Sequence, residues 1–147
     1  MMESKFLLKK SIKKILQKQK LAVLATRGDL YPYTTLVAYA YSDDIRFIFF
    51  ATMKHTRKYN HIVNHPYASL LIDSRSNSSK DFKDAVAITI MGHTLSQENA
   101  SYRIHYLQRF PYLKDFMADP QTELIIIKVT RYIYVQQFQE VLELKML

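Results

Sequence analysis

Residues 45–75 read Ile-Arg-Phe-Ile-Phe-Phe-Ala-Thr-Met-Lys-His-Thr-Arg-Lys-Tyr-Asn-His-Ile-Val-Asn-His-Pro-Tyr-Ala-Ser-Leu-Leu-Ile-Asp-Ser-Arg, and this stretch decides the fold. Ile45 to Ala51 is an apolar run of aromatic and β-branched residues, and Tyr67 to Asp73 is a second one bounded by Pro66 and a polar cluster. Both have the length and composition of buried strands. Between them the spacing predicts a short helix over residues 56–65. The chain therefore runs strand, turn, helix, strand.

Positive charge is concentrated where the first strand hands over to the helix. Lys54, His55, Arg57 and Lys58 fall within five positions, beside the hydroxyls of Thr52 and Thr56. Free amides at a helix start, a capping hydroxyl and a guanidinium fork together can hold a phosphate monoester. A basic turn is also an ordinary solvated corner, and the residue types alone leave both readings open.

Thr52 to Lys58, followed by Asn64, Pro66 and the run Ala68-Ser69-Leu70-Leu71-Ile72, resembles the central signature of the pyridoxamine 5′-phosphate oxidase-like family of FMN-binding split barrels. The family pattern is approximately Thr, a short gap, Ser or Thr, Arg, Lys, a helical turn, Asn-Pro and Val-Ser-Leu. The resemblance implies an antiparallel split β-barrel with flanking helices and FMN as the cofactor. It places the FMN phosphate on Arg57 and Lys58, with Ala51, Thr52 and Thr56 beside it.

Working outward towards the N-terminus, Leu21 to Thr26 is a short apolar strand, and Arg27-Gly28-Asp29 is a turn in which Gly28 is expected at positive φ. Tyr31 to Tyr41 follows as a second strand, with Pro32 near its start where a missing donor is tolerated. Ser42-Asp43-Asp44 then turns into the strand beginning at Ile45. The family resemblance extends here too, and implies that the flavin ring runs along Thr35, Leu36, Val37 and Ala38.

Residues 1–20 hold seven lysines against one glutamate, a net +6 of the chain's +8, which leaves +2 for the other 127 residues. Phe6, Leu8, Ile12, Ile15 and Leu16 lie near helical spacing within this segment. It reads as an amphipathic helix over residues 5–18, one face on the barrel and the lysines outward. A basic amphipathic helix is also how peripheral membrane or RNA binders begin, so an adaptor role stays open beside the surface reading.

Working outward towards the C-terminus, residues 74–81 are the most polar stretch and the clearest loop. Asp73, Arg75 and Asn77 resemble an Asp-x-Arg-x-Asn pattern in one branch of these flavoproteins, ahead of the Asp81-Phe82 and Gly92 that recur there. The resemblance implies that Arg75 and Asn77 reach towards the flavin of a dimer. Ala85 to Leu95 reads as a fifth strand with a bulge or bend at Gly92. Ser96 then caps a helix over residues 97–110, with Glu98 in its first turn and Pro111 closing it. A short turn, Tyr112 to Ala118, leads to two last strands, Glu123 to Val129 and Tyr132 to Leu142, with Arg131 as the break.

Composition bounds the remaining possibilities. A chain of 147 residues suffices for one domain, expected over residues 1–147. With no cysteine there are no disulfides, thiolate metal sites or thiol nucleophiles, which suits a cytoplasmic protein. No apolar run reaches the length of a membrane span, and the N-terminus lacks the uninterrupted core of a secretory signal. His55, His61 and His65 lack acidic partners at ligand spacing, so no metal is expected. There is no nucleophile elbow, Walker loop or dinucleotide fingerprint.

Against the vitamer oxidases themselves the chain departs at two positions. Thr35 and Ala40 stand where those enzymes carry basic residues, and the Trp- and Arg-containing tail is missing. A haem-degrading branch shares His55-Thr56-Arg57 and Ser69-Leu70-Leu71-Ile72. The resemblance therefore implies an FMN flavoprotein, an oxidoreductase that does not use the vitamer, with flavin at a homodimer interface and no nucleic-acid partner. A flavin or haem binder without catalysis remains the alternative, beside the membrane or RNA adaptor.

Overall fold

The structure is a computed structural model that describes residues 2–96 and 99–146, apart from the side chains of residues 2 and 3. Helix α1 (Met2–Lys18) leads into strands β1 (Leu21–Arg27), β2 (Pro32–Tyr41) and β3 (Phe47–Met53), then α2 (Arg57–Asn64) and β4 (Tyr67–Asp73). A four-residue helix α3 (Asp81–Asp84), β5 (Val86–Leu95) and α4 (Ala100–Arg109) follow. After a 3₁₀ turn (Pro111–Leu113) come α5 (Lys114–Ala118), β6 (Thr122–Gln136) and β7 (Glu140–Lys145). The strands run in the order β3-β2-β1-β4-β5-β6-β7, every adjacent pair antiparallel. An additional β3–β6 pairing closes the first six into a barrel.

Alternation along the strands fills that barrel. Leu24, Tyr39, Ile48, Phe50, Leu70, Ile88, Ile90, Ile127 and Tyr132 are fully buried inside it, so the interior is side chain and holds no channel. Ile12 and Leu16 of α1 join the same core. Phe6, expected on this buried face, is exposed to solvent instead, while Leu8 packs against the core. On the outside, Ala40, Phe49, Leu124 and Ile126 form a second core under Tyr106, Phe110 and Met117.

The C-terminal end of α1 is tied down by side chains from two other elements. The Tyr39 hydroxyl donates to the carbonyls of Leu16 (2.8 Å) and Gln19 (2.9 Å), and Arg109 donates to the same two oxygens. These are the carbonyls that a helix end leaves without intrahelical donors. The Arg109 guanidinium also lies over the rings of Tyr39, Tyr41 and Phe110 at 5.0–5.5 Å.

One backbone conformation and three boundaries differ from the sequence expectation. Gly28 is not at positive φ. Its missing Cβ serves space instead, since an added carbon would sit 2.9 Å from the Tyr31 carbonyl and 3.2 Å from the His61 ring. Arg131 does not break a strand, because β6 runs through it. Met91 pairs with Arg131 and Gly92 with Val129, leaving Thr130 as the extra residue of a bulge opposite Gly92. At that bulge the outer edge of β6 passes from β3 to β7. The real reversal is at residues 137–139, where Gln137 and Phe138 adopt φ of 51° and 61° without the usual Gly or Asn. Ile45 lies in the turn at φ 55°, so β3 starts two residues later than expected. Finally, Asn99 rather than Ser96 caps α4, its Oδ1 accepting from the amides of Ser101 (2.9 Å) and Tyr102 (3.2 Å). The expected first-turn residue Glu98 lies outside the described residues.

Candidate functional site

β2 and β3 pair only from Tyr39 to Tyr41 and from Ile48 to Phe50. Beyond that apex they diverge. Along residues 32–38 β2 is strand-paired on one edge alone, with β1, and Ala51 to Met53 of β3 likewise pair only with β6. Backbone polar groups on an unpaired edge need partners, and a flat ligand with polar rim atoms can supply them. The cleft's apex is pinned from outside by α4. The Tyr106 hydroxyl donates to the Ala38 carbonyl at 3.0 Å, and burial pushes this phenol up to about 12, partly opposed by a hydrogen bond with the Ala51 backbone.

The turn from β3 to α2 closes the open end of the cleft. Thr56 is extended at φ −85°, ψ 157° and caps α2, its Oγ1 accepting from the Tyr59 amide at 3.4 Å. The same hydroxyl donates to the Met53 carbonyl (2.8 Å), so its 2.9 Å contact with Thr52 Oγ1 is best served by Thr52 donating. Thr52 is buried, and it orients Thr56 instead of facing solvent. The first amides of α2, those of Arg57 and Lys58, have no intrahelical acceptor.

The charge on this turn is frustrated. No acidic residue stands in the first turn of α2, and Arg57 and Lys58 occupy its positive end, where cations are unfavourable. The Arg57 guanidinium lies 5.2 Å from the centre of the Tyr33 ring, at the start of β2. One helical turn on, His61 meets the same ring edge-on at 5.6 Å and hydrogen-bonds Thr26 Oγ1 through Nδ1 at 2.9 Å. A nearby acid, Glu123, holds the Tyr59 hydroxyl, and that hydrogen bond raises Tyr59 above its usual value. An anion settling on this turn relieves the repulsion.

Of the expected residues, Thr35, Leu36, Val37 and Ala38 lie along the β2 edge and Ala51 and Thr52 on the β3 edge, while Thr56, Arg57 and Lys58 form the turn that follows, tied to β3 through Thr52 and to β2 through the Arg57–Tyr33 contact. Their side chains divide, however. Leu36 is 65% exposed on the outer face, Val37 is buried in the barrel, and Thr35 and Ala38 are half-buried. Arg75 and Asn77 are elsewhere. They follow β4, whose first residue lies at the α2 end, so in one chain they stand off by the length of that strand, roughly 20 Å. Their loop is organised by Asp81, which accepts from the Ser76 amide (2.8 Å) and hydroxyl and from the amides of Asn77 (2.7 Å) and Ser78. These bonds hold the Asp81 carboxyl below its usual value. The Arg75 Nε pairs with Asp73 at 3.0 Å.

Sequence reading missed Tyr33, His61 and Tyr106. His61 sits four residues after Arg57 on the same helical face, a signal that was available; Tyr33 and Tyr106 are joined to the cleft only by tertiary contacts. Among the described residues no cluster of three or more His, Cys, Asp or Glu is placed to hold a metal. Nor is any helix among them long and apolar enough to cross a membrane.

Comparison with known proteins adds the following. A family model described as pyridoxamine 5′-phosphate oxidase matches residues 8–136. General Stress Protein 26 from Bacillus anthracis str. Sterne superposes with a TM-score of 0.74 at 22% identity, covering 95% of this chain and 98% of its own. A heme binding protein from Mycobacterium smegmatis gives 0.79 at 17% identity over 89% of this chain, which spans 55% of that protein. A FAD-binding protein from Mesorhizobium loti gives 0.69 at 18% identity, covering 84% and 89% of the two chains. No curated protein sequence matches the chain.

Proposed function

Because the chain belongs to the pyridoxamine 5′-phosphate oxidase family, we propose that it is a cytoplasmic FMN-binding flavoprotein that transfers electrons or hydride to a small acceptor. The observation that carries this reading is the frustrated turn at the start of α2. Two cations and the positive end of a helix face one another there, an arrangement that costs stability and is relieved by a bound dianion. Arg57 and Lys58 would hold the FMN phosphate together with the first amides of α2, while Thr56, its hydroxyl proton committed to the Met53 carbonyl, and Thr52 would set the turn that presents them. Thr35, Leu36 and Val37 would border the ring with backbone groups of the unpaired β2 edge, while Ala38 and Ala51, whose backbone groups Tyr106 already engages, would stand at its apex end. Bound flavin supplies the redox chemistry, so no acid or base of this chain needs to stand in for it.

The reading includes a homodimer. Arg75 and Asn77 are too far from Arg57 in one chain to share a flavin with it, and a two-fold partner could bring its loop to that cleft. The surface for such a partner is at hand. Leu36, Val23 and Leu71 lie in one row across β2, β1 and β4, and Tyr67 and Met91 extend it, all on the outer face and without a covering helix.

Titration of FMN by quenching of its fluorescence tests the seat. Arg57→Ala is expected to weaken binding about tenfold to a hundredfold, because a charge-assisted hydrogen bond contributes roughly 1.5–3 kcal/mol. Lys58→Ala should fall between Arg57→Ala and Lys10→Ala, the last being a screened surface charge. Equal binding by Arg57→Ala and Lys10→Ala would sink the assignment, provided circular dichroism shows both folded. Reduction by NADH or NADPH followed by turnover then separates an enzyme from a flavin store.

A further inference from the structure

A cavity of about 590 Å³ opens at the other end of the barrel, between the loop after β4 and the β6–β7 hairpin. Its floor is apolar, formed by Ala85, Val86, Ala87 and Val135. Phe82 and Phe138 stand at its mouth, 73% and 60% exposed, with ring centres 5.4 Å apart and planes 31° from parallel. Two large rings held near each other in water leave faces that a third flat ring can cover.

Backbone conformation points to the same place. Among the described residues four non-glycine positions have positive φ, and Asn77 (62°), Gln137 (51°) and Phe138 (61°) are three of them, on or beside the two lips of this cavity. Phenylalanine is ill suited to that region, and such outliers persist where the surroundings or a function over-determine them. A glycine would make the same hairpin without strain.

The two carboxylates of the cavity are engaged within its own loop. Asp81 is saturated by its four loop donors, and Asp73 holds the Arg75 Nε. The two terminal nitrogens of Arg75 make no bond among the described residues. They form a donor pair at the edge of an aromatic slot, the geometry that matches a carboxylate. A volume of this size suits a small organic molecule.

We propose that this cavity binds a flat aromatic carboxylate, its ring against Phe82 and Phe138 and its acid group on the terminal nitrogens of Arg75. The flavin reading asks Arg75 and Asn77 for a ligand across a dimer, whereas this site lies within one chain, so flavin-free protein separates the two. The probe is 1-anilinonaphthalene-8-sulfonate, followed by its fluorescence and displaced with 2-naphthoate or 2-naphthylmethanol. Saturable binding is expected, with the naphthoate displacing about tenfold better than the alcohol and that preference lost in Arg75→Gln. Phe138→Gly should weaken the probe about tenfold while keeping or raising the melting temperature, and Arg57→Ala should leave it unchanged. A ring that only staples the hairpin gives the opposite pattern: a lower melting temperature with unaltered probe affinity. That result overturns the assignment, as does the absence of saturable binding, or binding abolished by Leu36→Asp and untouched by Phe138→Gly.

Discussion

At the scale of single residues, the two glycines of the chain are fixed by what crowds them. Gly92 lies opposite the bulge in β6, where an added Cβ would fall 2.7 Å from Ile127 Cγ2 and deep within the contact radius of the Lys128 carbonyl oxygen. The obstacle is backbone and cannot swing aside. Gly92→Ala is therefore expected to cost about 3 kcal/mol, the upper range for overpacking, read as a lowered midpoint in urea with an unchanged slope. Thr56, Arg57 and Lys58 were legible in the sequence because a capping hydroxyl and a basic first turn are local features. The role of Tyr33 was not, since the contact that matters joins it to Arg57, 24 positions further along the chain. Gly28 was legible as a turn but for the wrong reason: the sequence offered conformational freedom, and the structure uses the empty volume beside His61.

At the scale of elements, α1 depends on Arg109 for its docking. The guanidinium serves two helix-end carbonyls while packed among three aromatic rings, so its removal leaves the single Tyr39 hydroxyl proton to be shared between both acceptors. Arg109→Met preserves the stem's packing and removes the donors. It is expected to cost roughly 2–3 kcal/mol, with faster hydrogen exchange over α1, whereas Lys13→Ala, which loses one exposed bond to the Asp43 carbonyl, should stay within about 0.5 kcal/mol. Exchange mass spectrometry shows whether α1 frays first; uniform protection loss would mean that Arg109 serves the barrel as a whole. The strands were legible where alternation and turn residues coincided, as in β4. The β6–β7 reversal was not, because Gln137 and Phe138 adopt left-handed backbone that their residue types do not announce. The cap of α4 was misread because Ser96 and Asn99 are both good caps three positions apart, and only tertiary position chooses between them.

At the scale of the whole molecule, the uncovered row of Leu36, Val23 and Leu71 argues for a second copy on the outer sheet face. Leu36 is 65% exposed at the β2 end of the row, and a carboxylate there would have to be buried without a partner in an isologous contact. Light scattering at micromolar concentration should give a dimer mass for the native chain and a monomer mass for Leu36→Asp, with FMN affinity falling in the same variant. A native monomer would remove both the dimer and the shared cleft. The barrel itself was readable from residues 45–75 outward, since each strand carries its own pattern. Any arrangement of two copies was not readable, because that information resides in the relation between chains.

The seam between β3 and β6 also sets the order of events in time. It joins Met53 to Thr122 and Phe47 to Lys128, so the barrel can shut only after a chain segment of 69 to 81 positions has been gathered in. The β1–β2 hairpin needs only a short loop, and entropy favours its forming early. Ile127→Val at the seam should thus mainly accelerate unfolding in stopped-flow measurements, while Val37→Ala in the hairpin should slow refolding. Until the seam shuts, Ile48, Phe50 and Ile127 remain open to water, and a chain paused at that stage carries two unguarded strand edges on which another can grow.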